Sequence, residues 1–303
     1  MKDNIKIILV FSLCCLIWGS TWLGIKVSLV SLTPFYSVGF RFLIASILVL
    51  IFVKYKKIEI MMDKTSILLY LVMGFLSYTI PYGLVYWGEQ FIPSGLAAVL
   101  FGVYPFFVLL LSYLFLPGES IGFFKVLGIV LGFSGTLIIF SENIGGDISS
   151  YLLGMIALVV SALIQATNSV IIKKFGSYLN PLSMNFVPML IAGISFLLIA
   201  IPIENFDELI FDANAYLSVI YLALFGTVIA FTAYYWLLKR VSVVILSLIT
   251  FINPIIALIL GWIVYDEKLS SQLLLGSILV LTGLLWANLG NYLWKKIKVK
   301  NPQ

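Results

Sequence analysis

The chain has no histidine and only two cysteines, the adjacent pair Cys14 and Cys15. Neighbouring cysteines cannot join each other in ordinary disulfide geometry and make no metal-ligand pattern, so they read as small packing residues. Charge is scarce as well: 10% of the 303 residues are Asp, Glu, Lys or Arg, and no carboxylate lies deep in an apolar run. With no histidine, no buried carboxylate pair and no cluster of metal ligands, an integral membrane enzyme would lack the groups to do chemistry. No cofactor and no metal are implied. Low-complexity segments are missing, and no polar connection could hold a separate soluble domain, the longest being 54–65 and 204–214.

What the chain has is apolar length. At 62% hydrophobic residues and a mean hydropathy of +1.14, it is too apolar for a soluble domain and is expected to be an all-α polytopic membrane protein. Apolar runs of span length fall near 6–27, 34–53, 66–88, 94–116, 121–140, 152–172, 182–202, 215–237, 242–264 and 271–291, which predicts ten transmembrane helices. The first run continues to about Val27 without a small-residue cleavage site, so it is expected to be a retained helix and not a removed signal.

The net charge of +5 is not a nucleic-acid signal in such a chain, because loop lysines and arginines orient membrane helices. With the N-terminus placed in the cytoplasm, one side receives Lys2, Lys6, Lys54, Lys56, Lys57, Lys64, Lys125, Lys173, Lys174, Lys239, Arg240, Lys295, Lys296, Lys298 and Lys300. The other receives only Lys26 and Lys268, together with most of the acids, from Glu89 to Glu267. Omitting one helix would scramble this segregation. Both termini are therefore expected in the cytoplasm.

The sequence also repeats itself. Tyr86-Trp87 followed by Pro105 recurs as Tyr235-Trp236 followed by Pro254, and Thr33-Pro34 recurs as Asn180-Pro181, in each case a side-chain cap before a proline at the first helical position. Gly128 and Gly135 recur as Gly276 and Gly283, and Glu119 as Glu267. Two halves follow, 1–145 and 146–303, each of five helices. An odd number forces the second copy to enter the membrane inverted, an arrangement typical of secondary transporters with a midplane site.

On these residues the chain resembles the EamA family of the drug/metabolite transporter superfamily. The resemblance rests on LIWGSTWLGIKVSL in the first run, RFLIASILVL in the second, SGLAAVLFGVYPFFVLLLSYLF in the fourth, Glu119-Ser120 before the fifth and LLLGSILVLTGLL in the tenth. It implies a multi-pass carrier of the cytoplasmic membrane working by alternating access, often an exporter of amino acids or related compounds. The expected partners are a small-molecule substrate and the lipid bilayer, with no nucleic acid, in a monomer or homodimer. The alternatives are a permease for nucleotide sugars or hydrophobic cations, or a channel or structural membrane protein.

Candidate site residues come from polar faces inside the runs. Arg41 is the one charge within the second run, at a cost of roughly 2.5–3.5 kcal/mol on insertion scales, and marks a functional site by default. Counted from Pro34 at ~1.5 Å per residue, its backbone lies roughly 10 Å down the helix, close enough to the end for the side chain to snorkel outward. Its repeat counterpart is Pro188. Ser161, Gln165 and Asn168 share one helical face, as do their counterparts Cys14, Trp18 and Thr21, while Ser247, Thr250 and Asn253 form a third row. Tyr104 precedes Pro105 as Asn253 precedes Pro254, and Tyr78, Tyr82 and Tyr86 line the third run. Trp18, Thr21, Arg41, Tyr78, Tyr82, Tyr104, Gln165, Asn168, Thr250 and Asn253 are the expected substrate-binding residues. Tyr86, Trp87 and Trp294 are assigned to interfacial belts, and Glu119 and Glu267 to bracing the helices that follow them. Glu89 is placed at the outer mouth. Aromatic faces with one guanidinium suit a small amphipathic solute whose carboxylate Arg41 accepts.

Overall fold

The computed structural model describes residues 2–115, 122–141, 150–176, 178–238, 240, 249–267 and 270–300. All regular structure among them is helical. We number the helices α1 (Lys2–Ser31), α2 (Pro34–Tyr55), α3 (Lys64–Gly88), α4 (Ser94–Phe115), α5 (Phe123–Ser141), α6 (Ser150–Phe175) and α7 (Pro181–Ile203). Next come α8, whose parts Ala213–Ala223 and Ala230–Leu238 flank the π turn Leu224–Ile229, then α9 (Ile249–Tyr265) and α10 (Ser271–Lys300). Seven helices among the described residues are long and apolar enough to cross a membrane. The apolar stretches of α5, α9 and α10 are shorter, at Phe123–Ile139, Ile252–Tyr265 and Ser271–Ala287, and each borders residues outside the description. Aliphatic side chains such as Ile51, Leu198 and Leu217 stand exposed on the helix surfaces, as a lipid-facing exterior requires.

The packing is symmetric about the repeat. α3 lies on α6 as α8 lies on α1; α4 meets α6 as α9 meets α1; α2 pairs with α7, and α5 with α10. In the α5–α10 pair, Gly128 faces Gly283 and Gly135 faces Gly276, and an added Cβ on Gly135 would lie 2.5 Å from the Gly276 carbonyl oxygen. The repeated glycines are thus what lets these backbones touch, the usual small-residue solution for packing in lipid.

Helix starts depart from one expectation. Asn180 does cap α7 through Leu182 N, but Thr33 makes no side-chain cap on α2. Glu204, at the end of α7, takes that role instead: its carboxylate accepts from Phe35 N (2.8 Å), Tyr36 N (3.0 Å) and Thr33 Oγ1 (2.6 Å). The prolines also behave differently. Pro105 follows a break at Gly102–Val103, whereas Pro254 sits inside a continuous α9.

Candidate functional site

α3 and α8 each contain one π turn, at Gly74–Thr79 and Leu224–Ile229. In both, the residue after the turn sends its N–H five residues back, Ile80 to Phe75 O and Ala230 to Phe225 O, which shifts the ladder by one and strands a carbonyl. Thr79 and Thr227 answer the same register with their hydroxyls, bonding Gly74 O (2.9 Å) and Leu222 O (2.8 Å). Pro81 has no N–H, so Ser77 O loses its ordinary helical donor as well.

The polar rows of α1 and α6 fill these gaps. Gln165 Nε2 donates to Ser77 O (3.3 Å), and its repeat counterpart Trp18 donates Nε1–H to Gly226 O (3.2 Å). Ser161 Oγ donates to Pro81 O (2.9 Å), and Cys14 Sγ reaches Ala230 O (3.9 Å). Asn168 Nδ2 donates to Ser77 Oγ, and Tyr104 OH pairs with Ser169 Oγ at 2.7 Å. With its amide nitrogen turned inward, Asn253 donates to Ile249 O (3.0 Å) and Cys15 O (3.3 Å). Thr21 Oγ1 is spent on Trp18 O (2.8 Å). Gln165, Asn168, Tyr104 and Asn253, expected as cavity lining, are thus occupied in fastening one half to the other. Ser247 and Glu119 fall outside the described residues, as does the side chain of Thr250.

Arg41, Tyr78, Tyr82 and Trp18 converge on a different feature, an aromatic cluster around a buried guanidinium. Arg41 is 2% exposed and does not snorkel outward. Its Nε donates to Thr227 Oγ1 (3.1 Å) and its Nη1 to Tyr86 OH (3.2 Å), while the guanidinium lies 5.0 Å from the Tyr82 ring and 5.5 Å from that of Phe42. Tyr78 packs between Phe42, Tyr82 and Phe231 and donates its OH to Asn185 Oδ1 (2.9 Å). Trp18 meets Phe231 edge-on at 5.4 Å. An added Cβ on Gly226 would come within 2.7 Å of Thr21 Cγ2, so only glycine allows α1 and α8 to approach this closely.

Tyr86 is the clearest correction. It is fully buried on Arg41 and not part of an interfacial belt. Thr227 and Asn185 were missed as well. The signal for Thr227 was its repeat partner Thr79, but helical periodicity is blind to a π turn that rotates the following face. No carboxylate forms an ion pair with Arg41 among the described residues; its contacts are neutral hydroxyls and rings.

One end of the molecule carries a second polar group. Glu267 does not brace its own helix: it accepts from Ser94 N (2.7 Å), Ser94 Oγ (2.8 Å) and Gly95 N (3.0 Å), capping α4 in the opposite half. Near it, Glu89 has no exposure, and neither carboxylate oxygen has a hydrogen-bond donor. Lys26 Nζ approaches that turn but is directed to the Glu89 (2.6 Å) and Ile92 (3.0 Å) backbone carbonyls. Burial pushes the Glu89 carboxyl well above the usual carboxylate range, more than Lys26 draws it down.

Among the described residues, a helical shell with exposed aliphatics around an aromatic core that holds one buried guanidinium defines a multi-pass membrane protein. Residues 5–141 and again 152–289 match the EamA-like transporter family, and the chain belongs to it. It is 30% identical over 291 residues to the uncharacterized inner membrane transporter YedA of Escherichia coli K12, covering 95% of this chain and 92% of that protein. It is 27% identical over 284 residues to the uncharacterized transporter YoaV of Bacillus subtilis, covering 92% and 96% respectively. A solved crystal structure matches with a TM-score of 0.71 over 96% of this chain and 99% of the other, at 18% identity, a likeness of fold alone. The family and the names of its members indicate a membrane transporter and not an enzyme.

Proposed function

We propose that this protein is a secondary carrier of the cytoplasmic membrane that exports amino acids or related small amphipathic metabolites by alternating access. The carriers' halves would be 1–145 and 146–303, crossing the membrane ten times with both termini in the cytoplasm and the second half inverted. The observation that carries the substrate class is Arg41: a buried guanidinium held by two hydroxyls and two rings, with no carboxylate paired to it among the described residues. A buried cation without a counter-ion is costly, and a substrate carboxylate supplies that counter-ion while the surrounding rings accept an apolar side chain. A single cation also suits one carboxylate better than the phosphates of a nucleotide sugar. Because the Arg41 guanidinium is 2% exposed, a solute carboxylate reaches it only if the surrounding helices move, which favours a carrier over an open channel.

The test is a thermal-shift screen of the purified protein against amino acids and their acetylated derivatives, followed by counterflow in proteoliposomes with any compound that stabilises it. The expected result is saturable counterflow that Arg41→Ala abolishes while the variant stays folded. Unchanged uptake of every stabilising compound by Arg41→Ala would remove the carboxylate role.

A further inference from the structure

We propose that Glu89 is a proton-binding site, taking up and giving back one proton in each cycle so that the proton gradient drives the carrier. The inference rests on the carrier function proposed above and adds its energy source. In this closed form the Glu89 carboxyl is wholly buried, and both oxygens lack a donor. An anion so placed has lost its water and gained no hydrogen bond in return, only the more distant attraction of Lys26 and Arg41, whereas the protonated acid is neutral and tolerates the site.

The groups around it are committed elsewhere. From α1, Lys26 spends its ammonium on two backbone carbonyls. From α2, Arg41 is bonded to Thr227 and to Tyr86, the nearest titratable group on Glu89's own helix. From the turn after α9, Glu267 adds a second negative charge, saturated by three donors of α4. α6 brings Gly154 and Leu158 against Gly88; its titratable side chains are Tyr151 in its first turn and Lys173 and Lys174 in its last. The neighbouring Glu267 carboxylate favours the neutral acid; the charges of Lys26 and Arg41 favour the anion, but neither donates a hydrogen bond to it, and burial outweighs them.

The step is a simple proton transfer. A Glu89 carboxylate oxygen takes a proton from hydronium, leaving water, and gives it back to water as hydronium when the end of the molecule holding Glu89 opens and water solvates the anion. No other group changes charge. Binding to the closed form means, by reciprocity, that acid on that side favours closure and its removal favours opening.

Two measurements test this, one of which needs no substrate. In the infrared spectrum of the purified protein in nanodiscs, the stretch of a protonated carboxyl is expected to persist at neutral pH, where exposed carboxylates are ionised, and to vanish in Glu89→Gln. Its absence from the wild type, or its survival unchanged in Glu89→Gln, overturns the proposal. In proteoliposomes offered a radiolabelled mixture of the common amino acids, Glu89→Gln should keep counterflow but lose accumulation driven by an imposed pH gradient, on the order of tenfold. Glu89→Asp, which keeps a titratable group, should retain driven accumulation with a displaced pH profile. Accumulation at the wild-type level in Glu89→Gln, or loss of counterflow in both variants, overturns coupling through Glu89. If the wild type itself shows no counterflow, the amino acid carrier function fails, and the infrared arm still decides the proton site.

Discussion

The chemistry of Arg41 depends on its being arginine and not merely a cation. Its planar fork reaches Thr227 and Tyr86 from two different nitrogens and presents a face to the rings of Tyr82 and Phe42. A lysine ammonium is a point charge on a flexible stem; it can meet one of those hydroxyls but cannot span both and still stack. Arg41→Lys is therefore expected to lose at least one hydrogen bond to a charged group, about 1.5–3 kcal/mol. That corresponds to roughly 10- to 100-fold weaker binding of a carboxylate solute. Titration calorimetry with the compound found by the thermal-shift screen measures it. Equal affinity in Arg41→Lys would mean that charge alone, without the fork, selects the solute.

At the scale of the element, the two π turns explain why polar side chains sit inside apolar helices. Each turn strands a carbonyl at a fixed place, and α1 and α6 carry the donors that meet it, Trp18 in one half and Gln165 in the other. The rows were visible in the sequence because they keep helical spacing; their partners were not, because the register shift of the π turns leaves no periodic trace, and that Pro81 frees Ser77 O shows only once the facing helix is known. Of the two caps read from the sequence, Asn180 holds and Thr33 does not, and two further local caps went unread. Asp63 accepts from Ser66 Oγ and Ser66 N and Asp212 from Ala215 N, and these bonds hold both carboxyls below the usual carboxylate value of 3.8. For a group whose folded pKa is depressed, the stability it adds is present above the unfolded value and lost as pH falls through the folded one. Detergent-purified Asp63→Ala and Asp212→Ala should thus melt lower than wild type at neutral pH, with the difference shrinking below about pH 4. A melting gap that stays constant into acid would show that the caps do not act through the ionised carboxylate.

At the scale of the whole molecule, the repeat was legible because matched aromatic, proline and glycine positions survive at a nearly constant spacing, and the contacts obey it: helix pairs exchange partners when the halves are exchanged. What the sequence could not reveal is where the symmetry is broken. Glu204 and Glu267, both from the second half, reach across to cap α2 and α4 of the first, and Ile210 N donates to Ser31 O (2.8 Å) at the same end. Residues distant in sequence had no local reason to be read as caps of each other's helices. These bonds hold the two halves together at this end, and in the alternating access proposed above weakening one should shift the population toward a form open there. Glu267→Gln retains the side chain's shape but gives up charge-assisted bonds from Ser94 and Gly95, each worth about 1.5–3 kcal/mol, enough to raise the open fraction on the order of tenfold. Ile92, 1% exposed in the turn leading to α4, reports it: with Cys14 and Cys15 replaced by alanine, Ile92→Cys should react slowly with a membrane-impermeant maleimide, and markedly faster once Glu267→Gln is added. Glu208→Gln, which neutralises an exposed acid beside the Glu204 clamp, should leave the rate alone. If Glu267→Gln labels no faster than its parent, the cross-half caps are static braces, and opening at this end must be controlled by contacts other than these carboxylates.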